Sequence, residues 1–226
     1  MKNYFSVAID GPSGAGKSTI AKMCAVKLGL IYVDTGAIYR TVGLAAQRKN
    51  IPSKDAVGVE ALLAEIKIEM RHDDKGLQRM ILDGEDVTDF IRTPEISIYA
   101  SDVSAMPPVR AFLLEMQRHF ARVSSVIMDG RDIGTVVLPD ADLKIFLSAT
   151  PEDRAERRYA ELLLKGVLVK YEDVLKDIQY RDENDSSRSA APLKAADDAV
   201  LLDTTGNTLE ESFSIICNMI QEKMAI

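Results

Sequence analysis

Cations are in short supply in this chain of 226 residues: 28 Lys and Arg stand against 35 Asp and Glu, a formal net charge of -7. Broad binding to nucleic acid or to an anionic membrane surface needs the opposite balance, so both are excluded as general functions. Any site for an anion must be a local cluster of positive charge. Cys24 and Cys217 are the only cysteines, too few for a disulfide framework. Each falls in an apolar helical run and reads as a small core residue. His72 and His119 are the only histidines; both are expected on surfaces or helix faces and receive no role. No apolar run is long enough to span a bilayer, and the opening segment reaches Asp10 too early for a secretory signal, which predicts a cytoplasmic protein. Internal repeats and low-complexity tracts are missing too.

What is present is a globular composition, 46% hydrophobic and 28% charged, enough for one core with a smaller appended subdomain. Tyr4 to Asp10 reads as a buried parallel strand, Lys17 to Leu28 as a helix closed by Gly29, Leu30 to Val33 as a strand, and Ile38 to Lys49 as a helix stopped before Pro52. Ile66, Ile68 and Met70 alternate with charged residues, predicting a half-exposed antiparallel strand. A turn at Asp73-Asp74-Lys75-Gly76, a return strand Leu77 to Leu82 and the tight-turn pair Asp83-Gly84 complete a small meander. Thr93-Pro94-Glu95 starts a helix, and Pro107-Pro108 separates it from another running through Phe120. Strands at Ser125 to Met128, Leu143 to Leu147 and Ala199 to Leu202 follow. A charged helix covers Pro151 to Lys165, and Thr208 to Glu211 is a capping box. This alternation predicts a three-layer α/β sandwich with a five-stranded parallel sheet, its ligand at the carboxyl ends of the strands. Asp10, Asp34, Asp129 and Asp203 mark four of those ends.

Gly11-Pro12-Ser13-Gly14-Ala15-Gly16-Lys17-Ser18 matches G-x-x-x-x-G-K-[ST] between a predicted strand and a predicted helix. The glycines let backbone N–H groups curl inward, and the helix N-terminus adds favourable potential for an anion. Lys17 reaches the β- and γ-phosphates of a nucleoside triphosphate, the Ser18 hydroxyl is a Mg2+ ligand, and Thr19 closes the ATP-binding run. The motif is shared by GTPases, ATPases and small-molecule kinases. No Asn-Lys-x-Asp segment is present to read guanine, which demotes the GTPase reading.

Three further charged clusters stand out: Asp34-Thr35-Gly36-Ala37-Ile38-Tyr39-Arg40, Asp129-Gly130-Arg131-Asp132, and the Arg181-to-Arg188 segment. Any one alone could be a solvated turn; two of them lie at strand ends, and Arg181 and Arg188 share a helical face. Together with the phosphate loop, these segments resemble the bacterial cytidylate kinase family over essentially the whole chain. The meander near residues 66–88 resembles that family's enlarged nucleotide-binding subdomain.

The resemblance implies ATP-dependent conversion of CMP, and of dCMP, to the diphosphate within pyrimidine metabolism, by one domain over residues 1–226. That domain divides into a core (1–35, 90–150, 190–226), an acceptor-binding insert (about 36–89) and a helical lid (about 151–189). It implies that Arg40, Arg131 and Arg188 hold the acceptor phosphate with Thr35 nearby, that Asp185 and Arg181 hold the ribose, and that Ser101, Arg110 and Asp132 read the cytosine. Arg154, Arg157 and Arg158, at i, i+3 and i+4, share one face of the charged helix. Arg157 and Arg158 are expected to swing onto the transferring phosphate, unless that face only pairs with Glu152, Glu156 and Glu161. A monomer is expected, because closure needs free surfaces. Two other readings stay open: a kinase of a hydroxyl acceptor such as a sugar or shikimate-like acid, with Asp34 as base, and a nucleotide-responsive binding module without turnover.

Overall fold

The computed structural model describes residues 4–74 and 76–225. Lys75, in the expected meander turn, and residues 1–3, ahead of the expected first strand, lie outside the described residues.

In chain order, β1 (Ser6–Asp10) enters the phosphate loop and α1 (Lys17–Leu28), and β2 (Ile31–Asp34) runs directly into α2 (Thr35–Arg48). The second helix starts three residues before its expected position. Asp34 is its cap, accepting the Ala37 N–H at 2.8 Å, which draws Thr35 and Gly36 into the first turn. A short helix, α3 (Ala56–Leu63), follows; the sequence reading did not anticipate it. The insert then folds as β3 (Ile68–His72), β4 (Gln78–Leu82) and β5 (Glu85–Asp86), antiparallel throughout. Asp83 and Gly84 between the last two both have positive φ, 51° and 88°, the geometry of a two-residue hairpin turn.

After a 3-10 turn at Phe90–Arg92 come α4 (Pro94–Ser104) and α5 (Pro107–Val123). Thr93 caps the first of these through the Ile96 N–H, with Pro94 at the favoured first position. The chain then returns to the sheet with β6 (Val126–Gly130), a π-type turn (Ile133–Val137) and β7 (Leu143–Ser148). A helical hairpin of α6 (Pro151–Leu164) and α7 (Tyr171–Ser187) precedes β8 (Val200–Asp203) and α8 (Leu209–Met224). Thr208 and Glu211 form the expected capping box on the last helix.

The core sheet is five-stranded and parallel, in the order β2-β6-β1-β7-β8. Its two faces carry separate cores because strand side chains alternate. Val7, Ile9, Ile127, Ile145 and Leu147 pack with residues of α1 and α8, including both cysteines. Ala8, Val33, Val126 and Met128 pack with α2, α4, α5 and the insert. A third, small core of Ala155, Leu162, Val174 and Ile178 holds the helical hairpin together. No helix among the described residues is long and apolar enough to cross a membrane.

The insert is attached at the free rim of β2. Gln78 accepts the Asp34 N–H at 2.7 Å and donates to the Asp34 carbonyl at 3.1 Å. His72, expected on a surface, is half-buried instead, with Nε2 3.0 Å from the Tyr32 carbonyl. Both side chains occupy hydrogen-bonding positions that another strand would otherwise fill.

Candidate active site

The phosphate loop is shaped by how closely β7 passes it. Gly11 has φ 146°, and a Cβ there would lie 1.9 Å from the Leu147 carbonyl oxygen. No side chain fits. Lys17 is buried at the start of α1 and donates to the Pro12 carbonyl at 2.7 Å. Burial first, and then the nearby Arg131, hold its pKa well below the usual lysine value. An anion in the loop supplies the counter-charge that such a lysine wants.

Ser18 donates to Asp129 Oδ2 at 2.7 Å, and the Tyr32 hydroxyl donates to Oδ1 at 2.8 Å. Burial and the neighbouring Asp34 push the Asp129 carboxyl upward. Among the described residues no group of three or more His, Cys, Asp and Glu could cage a metal ion unaided. Magnesium needs no such cage, since it keeps several waters and takes one or two protein oxygens beside the substrate phosphates. The exposed Ser18 hydroxyl against the Asp129 carboxylate supplies hard oxygen donors at the right end of the loop, so the residues fit that ion.

Beyond the loop lies a basin of arginines. Arg40 and Arg92 both pair with Asp34, at 2.8 and 3.0 Å. Burial alone would raise Asp34, but the two guanidinium groups outweigh it and keep the carboxyl below its ordinary value. A carboxylate so engaged is a poor general base, which removes the main support for a hydroxyl-acceptor kinase. Thr35 donates to the Asp129 carbonyl at 2.7 Å. A Cβ on Gly130 would meet Thr35 Oγ1 at 2.7 Å and Ile133 at 2.6 Å, so the glycine lets α2 approach the end of β6. Arg131 pairs with Asp185 at 2.8 Å. Arg181 is pulled down to about 10 by burial and by the nearby Arg131. The Nε atoms of Arg40 and Arg181 are buried donors with no hydrogen-bond partner among the described residues, which is costly unless a ligand oxygen completes them.

On the far side of the basin, Asp132 is clamped between Arg110 and Arg188. Arg188 also donates to Ser104 Oγ at 3.2 Å and lies 3.8 Å from Asp185. It therefore sits with Asp132 and Arg110, whereas Arg40 sits with Asp34 and Arg92. Ser101 accepts twice from the Asn184 amide, at its carbonyl (3.0 Å) and its hydroxyl (2.9 Å). The Arg110 guanidinium lies 5.7 Å from the centre of the Tyr39 ring.

The three arginines on the charged face of α6 have separate partners. Arg157 donates to the Thr204 carbonyl at 2.6 Å and pairs with Asp153, so it braces the loop after β8. Arg158 pairs with Glu161 at 2.8 Å and lines a cavity of about 60 Å3 with Ser13 and Arg181. The arginine that touches the phosphate loop is Arg154, only 3% exposed. It donates to the Ser13 carbonyl at 2.8 Å, to the Ala149 carbonyl at 2.8 Å, and through its fork to Asp182 at 3.0 and 2.6 Å. Arg92, Ser104, Asn184 and Asp182 were not singled out from sequence, and Arg154 stood out only as a face-mate of Arg157 and Arg158; Asp182, beside Arg181, carried the nearest signal.

Beneath the site, Asp10 accepts the Ile133 and Gly134 N–H groups, each at 2.7 Å. Burial raises its carboxyl from 3.8 to about 6, despite both hydrogen bonds. The folded protein thus holds this proton more tightly than the unfolded chain. Asp10's contribution to stability is full below pH 3.8 and is lost as pH rises through about 6. Carbon-13 titration of the Asp10 carboxyl should give a midpoint near 6; a midpoint at or below 3.8 would mean the two N–H groups outweigh burial.

A parallel sheet that presents a phosphate loop to a basin of mostly half-buried arginines defines a P-loop kinase. The cytidylate kinase family model matches residues 7–222. A cytidylate kinase of Caldicellulosiruptor bescii is 52% identical over 206 residues, 91% of this chain and 91% of the relative. One from Geobacter sulfurreducens is 50% identical, over 96% of this chain and 93% of its own. A solved shikimate kinase of Acinetobacter baumannii is 13% identical, covering 98% of this chain and 95% of that one, with a TM-score of 0.42. The chain belongs to the cytidylate kinase family.

Proposed function

We propose that this protein is an ATP-dependent nucleoside-monophosphate kinase that transfers the γ-phosphoryl group of ATP to CMP, and to dCMP, giving ADP and the cytidine diphosphate. The observation that carries this reading is the pair of unpartnered Nε donors on Arg40 and Arg181, beside Arg131 and within the field of Lys17. Donor and acceptor are both polyanions and repel at close range. The attacking group is already a phosphate oxygen, so no general base is needed, and the cations do the work of approach and charge stabilisation.

ATP takes the loop from Gly11 to Thr19, with its terminal phosphates at Lys17. Mg2+, held by Ser18 with Asp129 behind it, supplies charge neutralisation when bound. Arg40 and Arg131 take the acceptor phosphate, with Thr35 holding α2 in place. Arg181 and Asp185 take the ribose. Asp132 accepts from the cytosine amino group while Arg110, Arg188 and Ser101 shape the rest of that edge. Uracil places a carbonyl where the amino group would be, opposite a buried carboxylate, a mismatch worth about 10⁴-fold. Residues 36–89 act as the acceptor insert, and 151–189 as a lid in which Arg158, the arginine facing the cavity beside Ser13, approaches the transferring group. The enzyme works as a cytoplasmic monomer.

A coupled ADP-release assay across CMP, dCMP, UMP, AMP, GMP and no acceptor tests the proposal. CMP should raise turnover by about 10³-fold or more over the acceptor-free rate. Turnover equal with and without every acceptor would leave a slow ATPase or a binding module instead.

A further inference from the structure

The acceptor basin is walled by two helices, α4 and α7, and one buried carboxylate outside the basin holds them together. Asp102, on α4, is 6% exposed. Its Oδ1 accepts the Tyr180 hydroxyl of α7 at 2.5 Å, and its Oδ2 accepts the Ser53 hydroxyl of the α2–α3 loop at 2.6 Å. Lys54, next along that loop, lies 5.2 Å from the centre of the Tyr180 ring. The adjacent α4 residue, Ser101, takes the Asn184 amide, and Asn184 follows Tyr180 by one helical turn. Two consecutive residues of α4 therefore grip two consecutive turns of α7.

The placement matters because of what α7 carries on its neighbouring face. Arg181 and Asp185, at i and i+4, share one face of the helix, and Arg188 is the residue at its C-terminal cap. Tyr180 and Asn184 each precede one of these by one residue. Turning α7 about its axis would move all three basin residues at once, and the Tyr180–Asp102 bond opposes that rotation. The same carboxylate engages the insert through Ser53, so three separately connected segments meet on one side chain.

We propose that Asp102 is a positioning residue that sets the width of the acceptor pocket by clasping α7 and the α2–α3 loop to α4, with Tyr180 as its principal partner. The proposal rests on the acceptor reading above for its kinetic consequence, but the clasp itself does not. Among the described residues the Asp102 side chain hydrogen-bonds to Tyr180 and Ser53 and not to the phosphate loop or Lys17, so its effect falls on the acceptor side. The donor side is linked to α7 by a different pair, Asp182 and Arg154.

Tyr180→Phe removes one hydroxyl and keeps the ring. It should raise KM for CMP about tenfold, the scale of one hydrogen bond to a charged group, with kcat and KM for ATP changed by less than about twofold. Asp102→Asn should raise KM for CMP at least as much, and adding Tyr180→Phe to it should produce little further loss, because the shared contact is already gone. Amide hydrogen exchange on the nucleotide-free protein gives a readout that needs no substrate. Tyr180→Phe should speed exchange in both α7 and residues 49–55, segments far apart in sequence. Unchanged exchange in residues 49–55, or equal rises in KM for CMP and ATP, would overturn the clasp. If wild-type protein fails to phosphorylate CMP while exchange still couples the two segments, the acceptor reading falls and the clasp stands.

Discussion

Replacing Asp182 with alanine will destabilise the protein by about 3–5 kcal/mol, more than replacing Arg154 with methionine, although the two residues form one ion pair. The asymmetry comes from burial. The Arg154 side chain is 3% exposed and that of Asp182 24%. Removing Asp182 strands a cation that water cannot reach. Removing Arg154 leaves a carboxylate that can still be hydrated, while methionine fills much of the vacated volume. The double replacement should recover part of the Asp182→Ala loss, since no buried charge then remains unpaired. Urea unfolding of the three variants measures this directly. A larger loss for Arg154→Met than for Asp182→Ala would show that the Ser13 and Ala149 carbonyls, not the ion pair, are what Arg154 is there to satisfy. Activity should fall with both, because Arg154 supports the Ser13 carbonyl from behind the phosphate loop.

The second large effect concerns choice of base. Asp132→Asn should lower kcat/KM for CMP by about 10²–10⁴-fold and that for UMP far less, which steady-state kinetics on both acceptors will show. The substitution keeps the shape and removes the charge. Asparagine turns an amino group toward Arg110 or Arg188, or toward the cytosine amino group, and each arrangement sets donor against donor. Two guanidinium groups also lose the carboxylate between them. An equal loss on CMP and UMP would mean that Asp132 only holds those arginines and does not discriminate between bases.

The phosphate loop was legible because its signal is local: strand, glycine-rich turn and helix are contiguous. The two-residue turn at Asp83-Gly84 and the caps at Thr93 and Thr208 were legible for the same reason. The start of α2 was not, since Asp34 serves both as strand end and as cap, and its second role is set by where its side chain points. The α3 helix escaped because Pro52 reads as a stop and the helix beyond it spans only two turns. Spacing placed Arg154, Arg157 and Arg158 on one face, but it carries no information about rotation about the helix axis. The observed rotation follows from Gly14: a Cβ built there would lie 3.0 Å from the Arg154 Cβ, so the missing side chain lets that part of α6 settle against the loop. Ser101 and Arg110 came from family resemblance alone. They meet Asn184 and Asp132 across 83 and 22 residues of chain, separations at which no helix or strand period operates.

The way Gln78 and His72 meet β2 has a consequence for solubility. An unpaired outer strand invites a neighbouring molecule to lie alongside it and extend the sheet. Here an amide and an imidazole imitate a missing strand's backbone, occupying the Asp34 and Tyr32 groups that such a neighbour would grasp. The insert thus shields one margin of the sheet from intermolecular stacking while remaining joined to it by side chains, and tilting the insert strains an amide and a ring before it disturbs any ladder of the core.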